Sequence, residues 1–375
     1  MIHSKTLLVT ITLIAVISCN RPQNKRLNNM PANRDTLLVL NNDSITLAVS
    51  QFGGAIVKFA FNDQKLNPLD WKIPKLEMPE NNRRGAPFQG HFLCIGRWGS
   101  PTKGEKDAGI PHNGEPSNCW WKDTLLLPQS VEMKTITPLE QWQVNRKIKL
   151  SPNQAFFEVE ETLTNLQNCG RFTTIVQHAT LGGDFLNEGT IINCNASDGF
   201  NQSLTTRSIT EFEYKWPLGF IDSMKTSINL TLSGSKSGFV TTHIIDGQLG
   251  WATAATPSKG LLIGYVWKSS EYPWMHIWHG MKNGKLWAKG IEFGTTGLGD
   301  TYSPEKRAIT TFHGRTNNLF IDAHATLTKR YACFLIRIPN TFVRIVSIET
   351  EENKLVVTYL TGDKTNRIVF NSKII

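Results

Sequence analysis

From residue 131 onward, apolar and polar positions alternate with a period of two, as in strands with one face in a core. Residues 142–150 (Trp-Gln-Val-Asn-Arg-Lys-Ile-Lys-Leu) alternate, Ser151-Pro152-Asn153 breaks the run, and 155–164 resumes it, a hairpin pattern. The same reading predicts strands near 172–178, 226–232, 238–244, 249–255, 261–267 and 286–293. A meander follows at 331–338, 341–348, 354–360 and 367–371. Near the start, 36–40 and 44–49 flank an Asn41-Asn42-Asp43 turn, and 55–61 alternates after Gly53-Gly54. No long amphipathic helix and no fixed-period repeat stands out. The pattern predicts one all-β domain over 36–375, built as a large antiparallel β-sandwich.

Residues 62–130 break the pattern with many Pro, Gly, Asn and Trp and little periodicity. A long irregular stretch inside a compact domain is usually functional. This one holds His91, Arg97, Trp98, His112, Glu115, Trp120 and Trp121.

Residues 1–18 read as a secretory leader: Lys5 is the positive charge, and Thr6 to Ile17 is apolar or Thr and short for a membrane span. Val16-Ile17-Ser18-Cys19 resembles a bacterial lipobox, implying cleavage before Cys19 and a lipid on its thiol. Asn20 stands where an inner-membrane retention signal has Asp. The alternative is an ordinary signal peptide or anchor helix with an incidental Cys. Residues 19–35 are polar and read as a flexible tether. The expectation is a chain secreted across the inner membrane and lipid-anchored at the bacterial cell envelope, in the periplasm or at the outer membrane, without spanning it.

The 375 residues are 40% hydrophobic and 19% charged, a globular composition. The net charge of +9 is scattered along the chain without a basic cluster, which argues against nucleic acid as a partner. Eleven Trp serve a core or stack on sugar faces. Beyond Cys19, the cysteines Cys94, Cys119, Cys169, Cys194 and Cys333 form no CxxC pair; Cys94 and Cys119 are candidates for a bridge, and free thiols are the default. No phosphate loop, G-x-S-x-G elbow or H-E-x-x-H is present, which argues against nucleotide enzymes, serine hydrolases of that type and zincins.

Three motifs carry candidate chemistry. His178 ends a strand just before Gly182-Gly183, placed to face a cleft or to bond a backbone carbonyl. Glu292 is the single acid in the apolar, Gly-rich stretch Gly290-Ile291-Glu292-Phe293-Gly294. Desolvation there raises its pKa and makes it a base near neutral pH; the alternative is an exposed edge-strand Glu. His112 lies in a rigid Pro- and Gly-containing loop, suited to a sugar hydroxyl or simply exposed. A His and a Glu on one β-scaffold make an acid–base pair. In the run 272–279, Trp274, His276 and Trp278 share a strand face, as a sugar-stacking or core surface. His276 and His279 fall on opposite faces, which argues against a metal site there.

Taken together, these segments resemble the aldose 1-epimerase, or galactose mutarotase-like, superfamily over roughly 40–300. The resemblance rests on Phe52-Gly53-Gly54-Ala55-Ile56, Gly96-Arg97-Trp98-Gly99, Pro111-His112-Asn113-Gly114, the 157–165 strand ahead of His178, and the Glu292 segment. Ala179-Thr180 stand where the family has an aromatic, the His loop reads His-Asn-Gly-Glu, and the chain past 310 is longer than a minimal mutarotase. The resemblance implies a sugar or oligosaccharide partner, a galactose mutarotase-like supersandwich and no cofactor. It further implies Glu292 as catalytic base, His178 as catalytic acid, and His112 and Arg97 as hydroxyl-binding residues, with Trp120, Trp274 and His276 as further substrate contacts. A non-catalytic glycan-binding lipoprotein, or a polysaccharide lyase or hydrolase on the same scaffold, stays open.

Overall fold

The computed structural model describes residues 36–204, 209–300, 306, 308–373 and 375. The leader, Cys19 and the tether lie outside the described residues. Two antiparallel sheets face each other. One has ten strands, with His91–Ile95, Ile175–Leu181, Lys285–Gly294, Trp274–Lys282 and Phe239–Ile245 adjacent in that order. The other has eight, among them Trp142–Leu150, Phe156–Asn165, Leu261–Lys268 and Thr326–Arg337. Their inner faces supply one core: Leu47, Phe59 and Leu93 from the first sheet meet Val144, Phe157 and Tyr265 from the second. Phe59 and Phe157 cross the gap edge to face, centroids 4.7 Å apart.

The predicted meander divides. Thr326–Arg337 joins the eight-stranded sheet, while Phe342–Glu351, Lys354–Thr361 and Lys364–Asn371 form a separate sheet. That sheet packs on the outer face of the eight-stranded one, burying Phe156, Phe334, Ile345 and Phe370. Among the described residues the longest helix is Lys103–Asp107, and the five cysteines beyond Cys19 are free thiols, so Cys94 and Cys119 do not bridge.

The sandwich interior also holds a polar network. Arg146 Nε donates to Glu161 Oε1 at 2.6 Å, its Nη1 donates to the Gly54 carbonyl, and the guanidinium lies 4.6 Å from the Trp121 ring centroid. Gln177 Nε2 donates to Glu161 Oε2 at 2.6 Å, and Gln177 Oε1 is 3.0 Å from His91 Nε2. The network links the two sheets directly behind the strand that carries His178.

Lys289 is buried, with its amine 3.1 Å from His279 Nδ1. Burial depresses its pKa to about 7. In the unfolded chain a lysine titrates near 10.4. The fold is therefore favoured fully above that value and loses stability as pH falls toward 7. Lys289→Met is expected to raise the melting temperature at pH 7 and to flatten its rise toward pH 10, read by calorimetry; an unchanged pH slope would contradict this.

Candidate active site

Period-two alternation makes Ile175–Leu181 and Lys285–Gly294 two-sided. Ile175, Ala179, Ile291 and Phe293 enter the core between the sheets, while His178 and Glu292 point to the opposite face. Both faces are covered, which is why the histidine strand is buried along its whole length. The outer cover is largely the irregular 62–130 stretch, and between it and the sheet lies a cavity of about 400 Å³. Its apolar wall is Trp71, Ile73, Phe88, Phe92 and Trp278; its polar groups include His112, Asn113, His178, Gln202, Glu292 and Asp300.

His178 and Glu292 meet at the cavity floor, with Nε2 3.4 Å from Oε1. The glutamate is 1% exposed and the histidine 8%. Trp98 Nε1 donates to Glu292 Oε2 at 2.9 Å, so one carboxyl oxygen is held and the other is left toward His178. Burial raises the Glu292 pKa to about 8 against the opposing pull of that indole bond. The His178 ring stacks on Phe92 at 4.3 Å, and its Nδ1 lies 2.8 Å from Thr180 Oγ1. Burial, with the nearby His112 adding repulsion, lowers its pKa to about 3. Burial therefore keeps a proton on Glu292 and off His178 through neutral pH.

The loop that brings Trp98 in turns at Gly96 and Gly99, whose φ values of 78° and 101° favour glycine. Gly99 N–H donates to Asn113 Oδ1 at 2.7 Å, tying this loop to the His112 loop. His112 is fixed through its backbone, which exchanges two 3.0 Å hydrogen bonds with the Asn82 side chain, and its ring reaches the cavity.

No protein-family model and no curated protein matches the sequence. Solved structures do match. A galactose mutarotase related enzyme from Lactobacillus acidophilus superposes with a TM-score of 0.59 at 8% identity, over 81% of this chain and 98% of that one. A galactose mutarotase-like protein from Clostridium acetobutylicum gives 0.55 at 13% identity, over 80% and 95%. A TPR-domain containing protein from Parabacteroides distasonis gives 0.56 at 10% identity, over 85% of this chain and 50% of that one. The fold is galactose mutarotase-like.

On this mutarotase-like scaffold, His178, Glu292 and His112 come together at one cavity. The other residues singled out from sequence do not line it. Arg97 is held by Glu105, Nε to Oε2 at 2.9 Å, and the same carboxylate caps the short helix through the Thr102 N–H at 2.9 Å. Its guanidinium is thus engaged by Glu105 and does not line the cavity. Trp120 packs beside Phe52, outside the cavity lining. Trp274 is fully buried among Phe200 and Phe312, and its indole N–H donates to the Thr316 carbonyl at 2.8 Å. Trp278, two strand periods along the same face, lines the cavity in its place. His276 sits behind the site: its ring packs on Trp98 at 4.0 Å, and its Nδ1 lies 2.9 Å from Thr242 Oγ1. His276 and His279 find separate partners, Thr242 for the first and Lys289 with the Ser235 carbonyl for the second.

Trp98, Phe92, Trp71 and Asp300 escaped sequence reasoning as site residues. The signal for Trp98 was its place between two glycines in the irregular stretch. Away from the cavity, ligand atoms of Asp198, Glu213 and His313 lie within 4.8 Å of one another, the one grouping among the described residues with the donor types of a metal site. His313 Nε2 is already 2.6 Å from Glu213 Oε1.

Proposed function

We propose that the chain is a carbohydrate-active protein that interconverts the anomers of a sugar, with His178 and Glu292 as its acid–base pair. The observation that carries this reading is the 3.4 Å approach of two oppositely perturbed groups at the floor of an aromatic-walled cavity. Bound substrate must drive the proton from Glu292 to His178, against the direction of both shifts, to give a carboxylate beside an imidazolium. The carboxylate takes the proton of the anomeric hydroxyl, and the imidazolium gives one to the ring oxygen. The ring opens to the aldehyde, the C1–C2 bond turns, and the reverse transfers close the other anomer. Protons balance over the cycle, and no cofactor is consumed. His112 is placed to hold a hydroxyl, and Trp278 to stack on the ring.

Exchange requires the pair to hold its one proton. The rate is expected to be flat through neutral pH and to fall above about 8, where Glu292 loses that proton. A rate that climbs through pH 8 in NMR exchange measurements would contradict the assignment. Trp98→Phe removes a bond that favours the carboxylate. It should move the alkaline limb upward by about one to two pH units, because hydrogen bonds to charged groups are worth about 1.5–3 kcal/mol. An unmoved limb would leave Trp98 a packing residue.

The aromatic wall supports a second reading, binding of a glycan without turnover. It predicts tight oligosaccharide binding that is lost in Trp278→Ala and kept in Glu292→Gln, with no anomer exchange.

A further inference from the structure

Trp98 reaches Glu292 from a loop, and its indole must keep one orientation to hold the 2.9 Å bond to Oε2. The loop backbone is tied by Asp300. The Asp300 N–H donates to the Trp98 carbonyl at 3.1 Å, and Asp300 Oδ1 accepts the Ser100 N–H at 2.6 Å. These bonds fix the backbone and leave the rotation of the indole to what packs on it. His276 packs on it, with ring centroids 4.0 Å apart, from the strand position directly opposite Glu292.

His276 is itself held. Thr242, opposite it on the next strand, has Oγ1 2.9 Å from His276 Nδ1. Gln202 Nε2 donates to the same Oγ1 at 2.6 Å and to the Gly297 carbonyl at 2.6 Å, so both amide hydrogens are used. Gln202 Oε1 accepts the Gly299 N–H at 3.1 Å. Gln202 thus lines the cavity with a side chain committed to the wall behind it. Because Thr242 accepts from Gln202, its own hydrogen is left for His276 Nδ1. His276 and Thr242 are fully buried, where a missing hydrogen bond is most costly. The imidazole is neutral: burial, with His243 and His178 nearby, holds its pKa well below the ordinary range. It therefore acts on Trp98 as a fixed surface and not as a charge.

We propose that His276, Thr242 and Gln202 are positioning residues that fix the Trp98 indole on Glu292 Oε2. An indole held there favours the carboxylate, the form a base at this position must reach. The consequence for turnover rests on the acid–base reading of the site; the brace itself does not.

Carboxyl-carbon NMR of the full chain, with isotope-labelled glutamate and no substrate, tests it. The Glu292 signal is the one missing from Glu292→Gln, and its midpoint in wild type is about 8. His178, His276, His112 and Cys94 surround Glu292 or share its cavity, and burial keeps all four neutral at that pH. The charged groups of the wall, Glu77, Asp300 and Lys306, are the same in every variant. Thr242→Val, which keeps the shape, Gln202→Met and His276→Leu should each raise the midpoint by at least about half a pH unit, about a threefold fall in the ionisation constant. None should add to the shift of Trp98→Phe, because each acts through that indole. A merely structural role would lower the melting temperature and leave the midpoint in place, and that result would overturn the proposal. So would shifts that add in full to that of Trp98→Phe, which would place the three residues on Glu292 directly. A protein that exchanges no sugar would sink the anomer reading and leave this titration to decide the brace.

Discussion

Glu292→Gln is expected to lower anomer exchange by about 10²–10⁴-fold, the usual contribution of a positioned acid–base group, and to make the protein more stable at neutral pH. The second effect follows from the same burial as the first. In the unfolded chain the carboxyl ionises near pH 4.3. In the fold it holds its proton to about 8. Between these values the native state binds more protons than the unfolded one, so stability falls as pH rises. The loss reaches on the order of 5 kcal/mol by pH 8. Glutamine keeps the shape and an acceptor for Trp98 and removes the titration. The variant's melting temperature should therefore exceed wild type at pH 8 and match it near pH 4.

His178→Ala should lose activity in parallel with an opposite pH signature. The folded histidine resists protonation down to about pH 3, so wild type loses stability as pH falls from the ordinary 6.5 toward that value. The variant should be flatter there. Calorimetry at acid and alkaline pH beside an exchange assay separates these outcomes. Full activity in both variants would remove the pair from the mechanism.

Arg146→Met should be the most destabilising single change in the interior. It leaves Glu161 in the core without its cation, and breaking one side of a buried ion pair costs about 3–5 kcal/mol. It also loosens Gln177, which Glu161 holds at 2.6 Å and which precedes His178 in its strand. Activity in the surviving folded fraction should fall as well. Urea unfolding of Arg146→Met, Glu161→Leu and the double variant measures this. The double variant is expected to recover much of the loss, because no charge is then left unpaired. A single variant within about 0.5 kcal/mol of wild type would show that the network contributes little to the sandwich.

Most strands were legible in the sequence from a period of two, but His91–Ile95 and Lys122–Leu127 were not, because neither alternates within the irregular 62–130 stretch. The assignment of strands to sheets was not legible, because the period is the same in every layer: nothing in Phe342–Glu351 distinguishes a strand of the main sandwich from one of the outer sheet. His178 and Glu292 were legible as polar residues at glycine-bounded strand ends. That their strands are neighbours, with Gln177 opposite Phe293, is a fact of topology that spacing does not carry. Arg97 misled because its partner, Glu105, belongs to a capping box whose helix is too short to be read from periodicity. Trp274 and Trp278 share a strand face, and only the packing of Phe200 and Phe312 over the first decides which one reaches the cavity. Trp98 was one of eleven tryptophans, and its indole bond to Glu292 has no sequence signature.

The central claim is that the cavity turns over free sugars at C1. Saturation-transfer NMR of anomer exchange tests it most directly, using residues 35–375, which form a compact unit by themselves, against a panel of hexoses and pentoses. The account predicts that at least one sugar exchanges faster with protein than without, and that Glu292→Gln abolishes the enhancement. No enhancement on any sugar, or an enhancement that survives Glu292→Gln, would contradict it.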